Sequence, residues 1–170
     1  LGLVTGASAG TINALLAAVA VGSEPEPDPT KSLFFTSWTE MRYDELLDVE
    51  NAPTHALSSR RALEDIALDL ERRWGQGLSP DLDIVMGATT TRLESNQVAV
   101  RDDFSVARQE EKFVFRIRGR GPGQAPQVTN YPDRGYPLVQ PLLPFADPGR
   151  HDLEAAAHNF EQIRKVLFAS

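Results

Sequence analysis

The segment Leu1-Gly2-Leu3-Val4-Thr5-Gly6-Ala7-Ser8-Ala9-Gly10-Thr11-Ile12-Asn13-Ala14-Leu15 decides how the rest of the chain is read. Leu1 to Thr5 is a short apolar run ended by Gly6, and Ala14 to Val21 is an alanine- and leucine-rich run with strong helix preference. Strand, tight turn and helix are therefore expected in that order, with Gly6-Ala7-Ser8-Ala9-Gly10 at the turn. Gly-x-Ser-x-Gly between a strand and a helix is the pattern of a nucleophile elbow. Such a turn forces the serine into a strained backbone conformation and lifts the Ser8 hydroxyl above the sheet. Gly6 and Gly10, two positions either side, let strand and helix approach closely. The backbone N–H of Ala9 then stands at a helix start, where it points at an oxyanion forming on an attacked carbonyl. Serine alone is a poor nucleophile at neutral pH, so a base must take its proton.

Two other readings compete for the same residues. In the plainer one, Gly6 and Gly10 serve a tight connection and Ser8 is only a helix cap. In the other, Val4-Thr5-Gly6-Ala7-Ser8-Ala9-Gly10 looks like the cofactor turn of short-chain dehydrogenases, where glycines let a pyrophosphate approach a helix start. That turn calls for a glycine where Ile12 stands. The Tyr-x-x-x-Lys pair of that chemistry is also missing, since Tyr43, Tyr131 and Tyr136 are followed four residues later by Leu47, Gly135 and Gln140.

Composition narrows the field modestly. The chain has 170 residues, 41% hydrophobic and 24% charged, which is the make-up of one ordinary globular domain. It contains no cysteine, which excludes a disulfide framework, a thiol nucleophile and a thiolate metal site. The formal charge of -7 and a pI near 5.0 oppose a nucleic-acid partner, whose electrostatic footprint is basic. No apolar run approaches the roughly 18 residues of a membrane span, and the N-terminus lacks a signal peptide's basic flank. A cytoplasmic location is expected, with peripheral membrane contact open. Because a buried strand opens the chain with no lead-in, a fragment of a larger domain is expected.

Further along, Asp28 and Pro29 suit the cap and first position of a second helix running through Met41, with Phe34, Phe35, Trp38 and Met41 on its apolar face. Glu24-Pro25-Glu26-Pro27 before it reads as an extended acidic loop. A third helix, capped by Ser58 or Ser59, carries Leu63, Ile66, Ala67, Leu70 and Trp74 at helical spacing and stops at Gly75 and Gly77. The period then changes to two, giving strands over Leu82 to Thr91, Gln97 to Arg101 and Lys112 to Arg118. In the last, Phe113, Phe115 and Ile117 face one way, and Val114, Arg116 and Arg118 the other. Gly119 to Pro126 reads as a loop, Tyr131 to Pro148 as irregular, and Asn159 to Leu167 as a final helix. No repeat and no metal-ligand spacing is found.

Beyond the pentapeptide, Gly6-Ala7-Ser8-Ala9-Gly10-Thr11-Ile12-Asn13-Ala14-Leu15 resembles the elbow of the patatin-like phospholipases: Gly-x-Ser-x-Gly, a small residue, then Asn-Ala-Leu on the helix. The tail Ile163-Arg164-Lys165-Val166-Leu167-Phe168-Ala169-Ser170 is similar to that family's Val-Arg-x-x-x-x-Ala-Ser segment. The resemblance implies an α/β chain with a three-layer α/β/α fold around a central, mostly parallel sheet, incomplete here. It implies a lipid acyl hydrolase working through a Ser-Asp dyad, with a lipid or phospholipid substrate and neither cofactor nor metal. Ser8 maps onto the nucleophile, the Ala9 amide onto one oxyanion-hole donor, and Gly6 and Gly10 onto the elbow glycines. The family's glycine-rich oxyanion loop would precede Leu1, and its catalytic aspartate, in an Asp-Gly motif, would follow Ser170. The sequence contains no Asp-Gly pair, so the catalytic Asp is not in this chain, which is expected to be inactive by itself.

Two further alternatives remain. A classical α/β-hydrolase needs Ser, acid and His in that chain order, and Asp147 with His151 or His158 satisfies it. Asp133-Arg134-Gly135 and Asp147-Pro148-Gly149 otherwise read as turns, and His55 gives no signal. A non-catalytic, hydrolase-like interaction module that keeps the elbow for structural reasons is the other. Arg116, Arg118 and Arg120 suit either phosphate headgroups or a solvated strand face.

Overall fold

The computed structural model describes residues 2–39, 61–131 and 142–169. Among these residues, four strands and four helices alternate with irregular segments. β1 (Gly2–Ala7) leads directly into α1 (Ala9–Gly22); α2 (Leu33–Thr39) follows a single 3-10 turn at Pro29–Lys31; and α3 (Arg61–Gln76) precedes β2 (Asp83–Arg101), β3 (Phe104–Arg118), β4 (Gln127–Asn130) and α4 (Leu153–Ala169).

The strands form one sheet in the order β1-β2-β3-β4. β1 pairs in parallel with β2, from Gly2 opposite Ile84 to Ala7 opposite Thr89. The pairings of β2 with β3 and of β3 with β4 are antiparallel. The sheet of the described residues is thus mostly antiparallel, a correction to the mostly parallel one expected. The reason is chain length: only Asp102 and Asp103 join β2 to β3, whereas a parallel crossover needs a dozen or more residues.

Leu82 to Thr91 and Gln97 to Arg101, expected as two strands, lie within one. A register shift between Thr91 and Asn96 absorbs the polar residues that break the sequence pattern. β4 is not anticipated at all, because four residues after Pro126 are too few to show alternation. The opposed faces of β3 do appear. Phe115 and Ile117 are fully buried, while Arg116 bonds to Asp83 at 2.6 and 2.5 Å and Arg118 lies 3.6 Å from the same carboxylate. That pairing turns both arginines toward a strand neighbour.

One face of the sheet, carrying Met86, Phe115, Ile117 and Val128 with half-buried Val4 and Ile84, shares a single apolar cluster with α1, α3 and α4. In α3 the expected stripe is the buried one: Ile66, Ala67, Leu70 and Trp74 are all buried, and Leu63 packs on their edge. The caps proposed at Ser58 and Ser59 lie outside the described residues. Gly75 sits within the helix, and Gly77, at φ 90°, follows its end. Helix α4 starts six residues before the expected Asn159, because Asp152 Oδ1 accepts the Ala155 N–H at 2.8 Å and so caps a longer helix.

The second helix is the larger departure. Asp28 accepts the Thr30 N–H at 2.9 Å, as an N-cap should, but it starts only the 3-10 turn. In α2 the buried pair is Leu33 and Ser37, four residues apart. Phe34, Phe35 and Trp38, expected to form its core-facing side, are exposed. Met41 lies outside the described residues.

Candidate functional site

Helix α1 begins eight residues into the chain, earlier than the alanine-rich run alone suggests, and Ser8 is the hinge between strand and helix. Its backbone has φ 52° and ψ -131°, and it is the one non-glycine with positive φ among the described residues. A serine held there costs about 1–3 kcal/mol, which surrounding structure must enforce.

Gly6 is what enforces it. A β-carbon at Gly6 would lie 2.1 Å from the carbonyl oxygen of Gly10 and 2.4 Å from the Thr11 nitrogen, so strand and helix touch backbone to backbone. The Thr11 N–H donates to the Ser8 carbonyl at 2.8 Å, closing the first turn. Gly10 behaves differently from expectation. A β-carbon there would meet nothing within 4 Å, so its smallness is not what permits the approach.

The Ser8 side chain is exposed and makes no capping hydrogen bond to the helix. The plain helix-cap reading of Ser8 therefore finds no bond to carry it. The Ala9 amide occupies the first position of a 14-residue helix, where backbone N–H groups have no intrahelical acceptor. A hydroxyl thus stands in solvent beside a helix start bearing partial positive charge.

The sheet fixes what else is near. Ser8 follows the C-terminal end of β1, and beyond the Ala7–Thr89 pair β2 and β3 continue as a two-stranded ribbon to Arg101 and Phe104. Phe104 and Val106 on this ribbon are exposed. On the helix side, the Trp38 indole N–H donates to Asn13 Oδ1 at 2.8 Å, tying α2 to the opening turns of α1. This tie has no sequence signal of its own, since the partners are 25 residues apart.

The histidine alternatives are widely separated from Ser8. His151 contacts Arg120 at 2.9 Å, and its carbonyl accepts the Ala125 N–H at 3.4 Å, at the end of β3 and β4 opposite to Ser8. His158 Nε2 lies 2.6 Å from the Pro144 carbonyl and must donate to it, so that nitrogen has no lone pair for a serine proton. Pro144 adjoins Leu143, whose carbonyl and N–H bond to the Asn130 amide at the end of β4. β4 is three strands from β1, roughly 14 Å across the sheet at about 4.8 Å per strand. Asp147 accepts the Gly149 N–H at 2.7 Å and forms a turn, as expected of it. His55, Asp133 and Gly135 lie outside the described residues.

Among the described residues, no side chain hydrogen-bonds to Ser8, and no three of His, Cys, Asp or Glu converge as a metal site. No described helix is long and apolar enough to cross a membrane. Compared with family models, curated proteins and solved structures, the chain gives no match in any of the three.

Proposed function

We propose that this chain carries the nucleophile of a serine acyl hydrolase acting on carboxylic esters of lipids, in the manner its elbow resembles. The observation that carries the reading is the backbone of Ser8: a positive φ on an exposed serine, between a parallel strand and a helix, with its hydroxyl uncommitted to capping. In this reading a base takes the Ser8 Oγ proton as Oγ bonds to the ester carbonyl carbon. The oxyanion is held by the Ala9 N–H, the C–O bond to the leaving alcohol breaks, and that alcohol receives the proton. Water then attacks the acyl-enzyme and releases the fatty acid and Ser8. The base is the aspartate of an Asp-Gly motif outside this sequence, and no metal enters. The same reading proposes a second helix layer on the sheet face opposite the described core, completing a three-layer fold. Exposed Leu3 lies on that face.

Reaction of the full-length protein with a short alkyl fluorophosphonate is the test. Covalent labelling at Ser8, lost in Ser8→Ala, supports a live nucleophile. A protein that stays unlabelled is a non-catalytic interaction module with an elbow, and the hydrolase reading falls. Replacing His55, His151 and His158 one at a time should leave labelling intact, whereas a Ser-His-Asp enzyme would lose about 10³-fold or more with one of them.

A further inference from the structure

We infer that the outer edge of β3 pairs with the same edge of a second copy of this chain, joining two β2–β3 ribbons into one four-stranded antiparallel sheet. β3 has a strand on both sides only along Phe115 to Arg118, where β4 meets it. From Phe104 to Phe113, no strand of the described residues lies on the side away from β2. The β2 edge of the ribbon is broken by the register shift between Thr91 and Asn96, and such a bulge blunts an edge against pairing. β3 instead runs as one strand for 15 residues. A two-stranded ribbon is marginal by itself in water, and Phe104 and Val106 at the far end of this one are exposed.

The backbone restricts which residues can meet. The Val114 carbonyl accepts the Tyr131 N–H at 3.0 Å and so points away from β2. Backbone groups alternate in direction along a strand, which turns the N–H and C=O groups of Val106, Arg108, Glu110 and Lys112 to the open edge as well. When two copies of one edge pair antiparallel, outward residues must face outward residues. A two-fold axis placed later than Gln109 would drive the start of β3 into the partner's β4. An axis at Arg108 would set that residue against its own copy, and like charges directly opposite are destabilising. An axis earlier still leaves a shorter ladder.

An axis at Gln109 meets every condition. It spans the whole open stretch, setting Arg108 opposite the partner's Glu110 and Glu110 opposite the partner's Arg108. Val106 then faces the partner's Lys112, and exposed Phe104 comes beside the partner's Val114. Four outward pairs exchanging two bonds each supply about eight backbone hydrogen bonds. The edge is thus complementary to itself in length, direction and charge, which is what a two-fold contact requires. β1, with Ser8 at its end, lies on the other side of β2, so this pairing stands independently of the hydrolase reading.

The experiment places a cysteine on the axis, since this chain contains none. At a non-hydrogen-bonded antiparallel pair the Cα atoms are about 4.5 Å apart, within disulfide range. Full-length protein carrying Gln109→Cys should form a covalent dimer in air, linked at position 109. Ser105→Cys should not, because its two copies would stand roughly 27 Å apart at about 3.4 Å per residue. Ultracentrifugation of the unmodified full-length protein should show a dimer that Glu110→Arg weakens roughly tenfold and that Arg108→Glu combined with Glu110→Arg restores. Val106→Pro, which removes an outward N–H and leaves the β2 ladder intact, should dissociate it too. A protein that stays monomeric overturns the pairing, as does a dimer that neither Glu110→Arg nor Val106→Pro weakens. Cross-linking as fast at position 105 as at 109, or a charge exchange that restores nothing, overturns it equally. Circular dichroism melting checks folding, and should Val106→Pro fail to fold, the charge exchange and the cross-link decide.

Discussion

A β-carbon on Gly6 would sit 2.1 Å from the carbonyl oxygen of Gly10, so the strand before the elbow rests directly on the backbone of the helix after it. Neither backbone can yield without opening the turn. Gly6→Ala is expected to cost about 3 kcal/mol, the upper end of overpacking penalties, read as a lowered urea midpoint. Gly10→Ala meets open space and should cost nothing, or gain up to about 1 kcal/mol from helix preference. Equal losses in the two variants would show that the elbow is not closed by this contact.

Ser8→Gly separates stability from function. Glycine accepts φ 52° freely, so the strain of about 1–3 kcal/mol is relieved, against roughly 0.5–1 kcal/mol of added chain entropy in the unfolded state. A net gain of about 1 kcal/mol should raise the melting temperature by about 2–4 °C. A lower melting temperature would mean that the Ser8 side chain stabilises the fold instead of straining it.

Asp83 makes stability depend on acid. The hydrogen bond from Arg116, helped by the charges of Arg116 and Arg118, holds the Asp83 carboxyl below the usual carboxylate range. A depressed folded-state pKa means the unfolded chain takes up the proton more readily. The contribution is therefore complete above the ordinary value near 3.9 and is lost as pH falls through the lower folded value. Asp83→Asn should be less stable than the parent at pH 7, with the difference shrinking toward pH 3 in urea titrations. A difference that stays constant across this range would assign the effect to packing.

Trp74 is fully buried beside Phe160, ring centres 5.9 Å apart, yet its indole N–H finds no hydrogen-bond partner among the described residues. An unsatisfied buried donor costs about 1–3 kcal/mol, so its removal offsets part of the lost volume. Trp74→Phe is expected to cost under about 1.5 kcal/mol, whereas Trp74→Ala should lose about 3–5 kcal/mol. A large loss in Trp74→Phe, measured in urea, would reveal that the N–H is satisfied in solution.

Elements with strong local periodicity were legible. The α3 stripe from Ile66 to Trp74 and the alternation from Phe115 to Arg118 are buried on the sides the sequence implies, whereas Phe113 and Val114 are both half-buried. α2 shows the limit. Its aromatic residues outweigh Leu33 and Ser37 in hydrophobicity, yet which side of a seven-residue helix is buried depends on how it meets α1. The Trp38–Asn13 bond is part of that meeting. β4 was illegible for a related reason: Gln127 to Asn130 become a strand by pairing with Phe115 to Arg118, and alone they have no preference to show.

By itself the sequence determined the strand, turn and helix around Ser8, because the contacts that shape them join residues no more than five apart: Gly6 against Gly10 and Thr11, Ser8 against Thr11. Only the tertiary structure decided that Gln127 to Asn130 pair with β3, that α2 buries Leu33 and Ser37 instead of its aromatic residues, and that His151 and His158 fall far from Ser8. Those outcomes come from long-range packing, in which segments distant in the chain compete for the same buried surface, and no local pattern of residues encodes who wins.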